Sequence, residues 1–174
     1  MKAWKAVLFL ILAVVLFVLI VLGADTPAPA NPLPGEAVVW YLGHCGYAVR
    51  TQNHLLVFDY QEQRDGQQFK VKPERPSLAS GWIDPEEIKN LKVRVFISHS
   101  HEDHFDPVIF GWKKTIPDIS YFFGWKASDD PSYTYLVGPR AERKPPDLEI
   151  ATINSHPSGV HEVAWLVKVD GLVI

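Results

Sequence analysis

The sequence predicts a mixed α/β domain of the α+β type, preceded by an apolar N-terminal helix. Short β-prone runs recur along the chain, most clearly at 37–42 and 93–98. Asp84 and Asp106 each precede a proline, which is typical of helix starts because the acid caps the first turn and proline suits the first helical position. The chain has 174 residues, 47% hydrophobic and 21% charged, which is enough apolar material for one packed core.

The N-terminal segment predicts export or membrane attachment. Lys2 and Lys5 precede an unbroken apolar run from Ala6 to Leu22, and no basic residue follows the run closely. The positive-inside rule therefore puts the remainder of the chain outside the cytoplasm. The run is close to the roughly 20 residues that span a bilayer. Residues 1–24 are predicted as either a cleaved signal peptide or an uncleaved membrane anchor.

A linker and one globular domain are expected after this segment. Residues 25–35 include four prolines, which predicts a stiff, extended spacer. The globular part is then expected to occupy 36–174. The sequence ends on apolar residues from Leu172 onward, directly after an Asp-Gly turn that should open a strand, so we expect a C-terminally truncated domain.

The domain is expected to alternate short strands with turns and two helices. The sequence GHCG at 43–46 predicts a tight turn, and 61–80 predicts a long surface loop. One helix is expected from Asp84 to about Leu91, with Glu87 completing a capping box, and a second at 106–113. Strands are expected at 37–42, 47–50, 54–59, 93–98, 119–123, 133–137, 148–154, 163–169 and from 172 onward.

The densest group of chemistry-bearing residues follows the strand that ends at Ser98. His99, His101, Asp103 and His104 lie within six residues. Residues two apart on an extended chain point the same way, so His99 and His101 can converge on one ion. Imidazole and carboxylate are the ligands that catalytic zinc sites use. The pattern predicts a metal site, with a solvated polar loop that holds no metal as the alternative.

Residues 96–105 (FISHSHEDHF) resemble the His-x-His-x-Asp-His signature of the metallo-β-lactamase superfamily. Residues 40–47 (WYLGHCGY) resemble the glycine-histidine turn of the branch that includes L-ascorbate-6-phosphate lactonase, and 56–59 (LVFD) resemble its strand-ending aspartate. The resemblance runs from about Val38 to Ile174. It implies the αββα sandwich of that superfamily, of which this chain would form the N-terminal portion.

The resemblance also implies a ligand set. His99 and His101 would ligate a first metal, and Asp103 and His104 a second. The superfamily takes a further histidine for the first metal from a later strand end. The candidates are His156, which is favoured because it follows the strand predicted at 148–154, and His161.

The resemblance further implies a bridging aspartate in a Gly-Asp pair and a final histidine, neither of which the sequence contains before it ends. Two dications about 3.5–4 Å apart need such anionic bridges to offset their repulsion. We therefore expect the chain as given to bind at most one metal well and to have weak or no activity.

The implied chemistry is hydrolysis of a small ester, lactone or phosphoester by a metal-activated water. Zinc is the expected metal, one or two ions per complete domain, with other divalent metals possible. The catalytic candidates are Asp103, which would ligate the metal and orient the water, and His44, which would contact substrate; a structural role for His44 in its turn fits equally. Asp59 is expected to orient a metal ligand without binding the metal itself.

The remaining candidates have structural interpretations. Cys45 is predicted to be a small buried thiol and not a nucleophile. His54, beside a hairpin turn, is predicted to lie on the surface. Most aromatic residues are expected in the core, although Trp82, Trp112 and Trp125 lie near loops and could wall a pocket.

Two other functions stay open. A nuclease of the same superfamily would share residues 99–104, the metal loop. The net charge of −3, the absence of a basic cluster and the export signal argue against a nucleic-acid partner. The other alternative is an inactive metal-binding fragment. The expected partner is a small-molecule substrate, with membrane contact through 1–24 if that segment is uncleaved. The catalytic domain is expected outside the cytoplasm, and the oligomeric state stays open.

Overall fold

The computed structural model describes residues 31–64, 66–68, 70–154 and 162–174. The predicted signal or anchor at 1–24 lies outside these ranges, as do His156 and His161. Within the described ranges, no helix is long and apolar enough to cross a membrane.

Two main sheets and a small hairpin form the framework of the described chain. The strands are β1 (Val38–Gly43), β2 (Gly46–Arg50), β3 (His54–Phe58), β4 (Gln63–Arg64), β5 (Gln67–Gln68), β6 (Lys92–Ile97), β7 (Ile119–Phe123), β8 (Thr134–Tyr135), β9 (Glu142–Arg143), β10 (Glu149–Asn154), β11 (Val163–Val169) and β12 (Leu172–Val173). The first sheet has the order β1-β2-β3-β6-β7-β8, and the second has the order β12-β11-β10-β9. The hairpin β4-β5 lies within the predicted loop at 61–80.

The first sheet is mixed, and this determines where functional residues gather. Strands β1, β2 and β3 form an antiparallel meander. Strands β6, β7 and β8 follow β3 in parallel. Because β3, β6 and β7 run the same way, their carboxyl ends meet at one edge, where ligand sites of parallel sheets are usually built.

The first predicted helix is shorter than expected, the second is a 3₁₀ helix, and a further 3₁₀ turn lies in the predicted loop. A 3₁₀ helix covers Leu78–Ser80, α1 covers Pro85–Ile88, and a second 3₁₀ helix covers Pro107–Lys114. Asp84 caps α1 as predicted, by accepting from the Glu86 amide at 3.0 Å. The predicted capping box is wrong, since the Glu87 carboxylate instead accepts from the Leu78 amide at 2.8 Å.

The central strands of the first sheet, β3 and β6, are buried on both faces. On one face, Leu55, Val57 and Val95 pack in a cluster with Ile109 and Trp112 of the second 3₁₀ helix. The opposite face supplies the remaining core, which includes residues of both sheets: Val49, Leu56, Phe96, Phe122, Leu148, Ile150, Val167 and Val169. Burial on both faces explains the continuous apolar runs of β3 and β6, as in other covered parallel strands.

The predicted αββα class is therefore found only in part. In the described residues, the chain is mostly β: two sheets pack face to face, and short helices cover the outer face of the first sheet. Trp82 and Trp112 belong to the core, at 2% and 3% exposed.

At the opposite edge of the first sheet, where its parallel strands begin, ion pairs connect the two sheets. His54 is 2% exposed, so its predicted surface position is wrong. Its Nδ1 lies 3.0 Å from Asp170 Oδ2 and its Nε2 lies 3.0 Å from Asp147 Oδ2. Both aspartates belong to loops of the second sheet, so burial of His54 depends on contacts more than 90 residues away in the chain.

Asp170 is the better satisfied of these two carboxylates. It also accepts hydrogen bonds from the Thr51 hydroxyl at 2.6 Å and from the amide and side chain of Asn53, each at 2.9 Å. Burial opposes its ionisation, but the bonds from Asn53, Thr51 and His54 hold its pKa far below the usual range. The ionised carboxylate therefore stabilises the fold.

We predict that Asp170→Asn lowers the free energy of unfolding at pH 7 by about 2–4 kcal/mol, because the amide cannot accept at its nitrogen and leaves buried donors unpaired. The pKa of Asp170 is depressed in the folded state, so the wild-type advantage is complete above about pH 4 and shrinks as pH falls below that value. Urea unfolding at pH 7 and pH 3 measures both effects.

Asp129→Asn is the matched control. Asp129 also forms an ion pair, with Lys126 at 2.6 Å, but its side chain is 92% exposed. Exposed pairs contribute at most about 1 kcal/mol. Equal losses in the two variants would show that Asp170 has no special role.

Candidate metal centre

The carboxyl edge of the first sheet brings three loops together. Asp59 follows β3, Ser98 and His99 follow β6, and the turn between β1 and β2 carries His44 and Cys45. This turn lies close against Asp59, since a Cβ on Gly46 would meet the Asp59 carbonyl oxygen at 2.9 Å. Gly43 adopts a φ of 105°, which accounts for the glycine there. The predicted tight turn is thus confirmed.

The Asp59 carboxylate organises the metal loop. Its Oδ1 accepts from the Ser98 amide at 2.7 Å, and its Oδ2 accepts from the Ser98 hydroxyl at 2.8 Å. Oδ2 also lies 2.9 Å from His104 Nδ1. Asp59 is 8% exposed, so these bonds form away from solvent. One carboxylate therefore links the start of the loop at Ser98 to its end at His104.

These hydrogen bonds determine which ring nitrogens can bind a metal. His104 Nδ1 faces a carboxylate, so it carries the proton. The Ser98 hydroxyl donates to Asp59 and therefore accepts from His99 Nδ1, which lies 2.9 Å away. Both histidines are protonated at Nδ1, which leaves each Nε2 lone pair available as a ligand.

Two groups of ligand atoms lie within 4.8 Å of one another: His99 with Asp103 and His104, and His44 with Cys45 and His104. His104 belongs to both groups. His44 Nε2 lies 3.4 Å from Asp103 Oδ2. The sequence-predicted residues His44, His99, Asp103 and His104 thus come together at one place.

His101 lies beside this cluster but outside both groups. Its ring contacts the His99 ring edge-on, with centroids 4.6 Å apart, and its side chain is exposed. His156 and His161 lie outside the described residues, so the choice between them stays a prediction.

The surroundings of His99 and His104 shift their pKa values in opposite directions. Burial, followed by the neighbouring His104 and His101, lowers the pKa of His99 and favours the neutral ring that a metal requires. The hydrogen bond to Asp59 raises the pKa of His104. A metal at the site must therefore compete with a proton at His104 more than at His99.

Cys45 is exposed, so its predicted burial is wrong. Partial desolvation and the nearby carboxylates of Asp59 and Asp103 raise the pKa of its thiol. A raised pKa disfavours the thiolate, which agrees with the prediction that Cys45 is not a nucleophile.

Two residues that contribute to the candidate site were not predicted from the sequence. Ser98 connects His99 to Asp59, and Glu162 adds negative charge that raises the pKa of His104. A serine directly before the first histidine was visible in the sequence. Glu162 carries no local signal, because only the approach of β11 to the loop brings it near.

No family model matches this sequence, and no curated protein matches it. Solved structures, in contrast, do match this chain. The metallo hydrolase Igni18 of Ignicoccus hospitalis is 19% identical, with a TM-score of 0.52. A metal-dependent hydrolase, so named in its description, from Parabacteroides distasonis is 14% identical, with a TM-score of 0.49. Each alignment covers 79% of this chain and 58% of the other.

The likeness to Igni18 shows that the described residues have part of a metallo-β-lactamase-like fold. The chain spans just over half the length of these solved structures.

We predict that Ser98→Ala weakens zinc binding about 10- to 100-fold, because His99 Nδ1 loses the partner that orients its ring. Competition with a chromophoric chelator measures the affinity. Ser120→Ala, which deletes a hydroxyl on the neighbouring strand β7, should leave it unchanged. Equal affinities for wild type and Ser98→Ala would contradict the role of the hydroxyl.

Proposed function

We propose that this chain carries the metal centre of a hydrolase that attacks a small ester, lactone or phosphoester with a metal-activated water. The observation that carries the proposal is the set formed by His99, Asp103 and His104. Two of its members have ring tautomers that leave Nε2 available, and the third offers a carboxylate.

The residues fit a divalent metal, and zinc in particular. Nitrogen and oxygen ligands suit zinc, and each bonds at about 2.0–2.2 Å, so two ligands of one ion lie at most about 4 Å apart. One ring nitrogen of each histidine and one Asp103 carboxylate oxygen lie within 4.8 Å of one another, which is close to the spacing that one ion requires. His101, next to His99, is the proposed additional ligand from this loop.

A metal held there would supply a Lewis acid that makes water acidic enough to react at neutral pH and polarises the attacked oxygen. The remaining steps belong to the chain. Asp103 would orient the attacking water and accept its proton on a carboxylate oxygen. His44 is 34% exposed and lies 3.4 Å from that carboxylate, where it can steady Asp103 or donate a hydrogen bond to the substrate.

Asp59 would act only through other residues. It holds His104 and, through Ser98, His99, so the ligands would be oriented before a metal arrives. Such partners behind the ligands fix ring orientation and increase ligand basicity.

The cellular location is proposed from the sequence alone. The basic start and apolar run at 1–24 support an exported or membrane-anchored domain that acts outside the cytoplasm on a small molecule.

We predict that Asp103→Asn lowers zinc affinity at least about tenfold and removes zinc-dependent hydrolysis, because the amide is a weaker ligand and cannot accept the proton. The substrates are a lactone, a simple ester, a phosphodiester and an RNA, each assayed with and without zinc.

Glu102→Gln is the matched control, since it makes the same chemical change one position away on an exposed side chain. It should retain zinc affinity within about twofold. Failure of the wild-type chain to hold zinc would overturn the proposal, and zinc-dependent cleavage of RNA in preference to the small substrates would favour the nuclease alternative.

A further inference from the structure

A cavity of about 420 Å³ lies beside the metal loop, on the side of the second 3₁₀ helix. Four aromatic rings line it, together with smaller residues: Phe105, Phe110, Trp125 and Tyr133, with Ser100, Pro107, Ala127, Ser128 and Asp130. Its volume falls in the range of about 300–1,000 Å³ that is typical of small-molecule sites.

The cavity is joined to the candidate metal centre through the chain itself. Ser100 lies between His99 and His101, and Phe105 follows His104 directly. The loop therefore contributes Ser100 to the lining of the cavity, and Phe105 adds a ring directly after the loop. None of the four rings is fully buried, so each keeps surface available to a ligand.

The rings support one another and form a preformed wall. Phe105 contacts Trp125 and Phe110, with centroids 5.3 and 5.8 Å apart. Phe110 stacks on Tyr133 at 5.2 Å. Such contacts hold the rings in place, so little conformational freedom is lost when an apolar group binds.

The lining of the cavity carries little charge. Among the described residues that line it, Asp130 alone carries a charge at neutral pH. Its Oδ1 already accepts from the amide and hydroxyl of Ser132, at 2.9 and 2.6 Å, and the Lys113 ammonium lies 5.6 Å from the centroid of the Tyr133 ring. The four aromatic rings dominate the lining, so an uncharged ring or branched alkyl group would gain from burial against them.

A larger cavity of about 520 Å³ touches His104 and Cys45. Asp59 and Ser98 also line it. These are the groups that occupy the Nδ1 sides of His104 and His99. This cavity therefore borders ring nitrogens that hydrogen bonds already engage.

We propose that the aromatic cavity binds an uncharged aromatic or branched-alkyl group of the substrate while the scissile ester or lactone bond lies at the metal loop. This inference rests on the proposed hydrolase function and narrows its substrate class to esters and lactones with a bulky apolar substituent.

The test compares hydrolysis of benzyl acetate and methyl acetate by the zinc-loaded chain. Water converts each ester to acetate and the alcohol, and the two esters differ only in the apolar group. We expect kcat/KM for benzyl acetate to exceed that for methyl acetate at least about tenfold, since burial of a few methylenes gives that discrimination. Ala127→Leu, which fills the cavity, should reduce the ratio to about twofold or less.

Lys126→Leu is the matched control, because it places the same side chain one position away at a site whose side chain is 69% exposed. It should retain the wild-type ratio. Ala127→Val, a smaller change at the same position, provides a second variant should Ala127→Leu fail to fold by circular dichroism.

A binding measurement without metal separates this inference from the hydrolase proposal. Benzyl alcohol titrated into the zinc-free chain should cause a saturable change in tryptophan fluorescence, and Ala127→Leu should weaken its binding at least about tenfold. Retained binding without hydrolysis of either ester would support the cavity as an apolar-ligand site and count against hydrolysis by the chain as given. Equal kcat/KM values for the two esters, or binding that Ala127→Leu does not alter, would overturn the role of the cavity.

Discussion

The buried carboxylate of Asp59 is the interaction on which the candidate centre depends. It accepts from the amide and the hydroxyl of Ser98 and bonds His104 Nδ1. A buried carboxylate is costly unless donors satisfy it, and here the donors come from both ends of the metal loop. The same bonds that compensate for burial of the charge also determine the tautomers of His99 and His104. Stability of the loop and readiness for a metal therefore have one cause.

The sheet makes this arrangement possible, because parallel strands place their carboxyl ends together. Close backbone approach completes it. A Cβ on Gly124, at the end of β7, would lie 2.1 Å from the Ser98 carbonyl oxygen and 2.5 Å from Val163 Cγ2. A side chain there would push apart the ends of β6 and β7 and the start of β11. The first sheet, the second sheet and the metal loop thus meet at a point where glycine alone fits.

The two edges of the first sheet use histidine in opposite ways. At the carboxyl edge, His99 and His104 each bond through Nδ1 and keep Nε2 available. At the other edge, His54 faces a carboxylate with both ring nitrogens and has none left for a metal. Sequence reasoning judged His54 by its place beside a turn. Its partners come from distant loops of the second sheet, which a local pattern cannot indicate.

The sequence by itself determined most strand positions, the tight turn at 43–46 and the loop that carries the candidate metal ligands. Apolar runs, glycines and histidine spacing are local signals, which is why they could be predicted. The length of the first helix was overestimated, and its predicted capping box was wrong because Glu87 bonds Leu78 across a loop. Only the tertiary structure decided that Asp59 reaches Ser98 and His104, that Cys45 is exposed, and that an aromatic cavity opens beside the loop. Each of these depends on how strands far apart in the chain pack, and no window of adjacent residues contains that information.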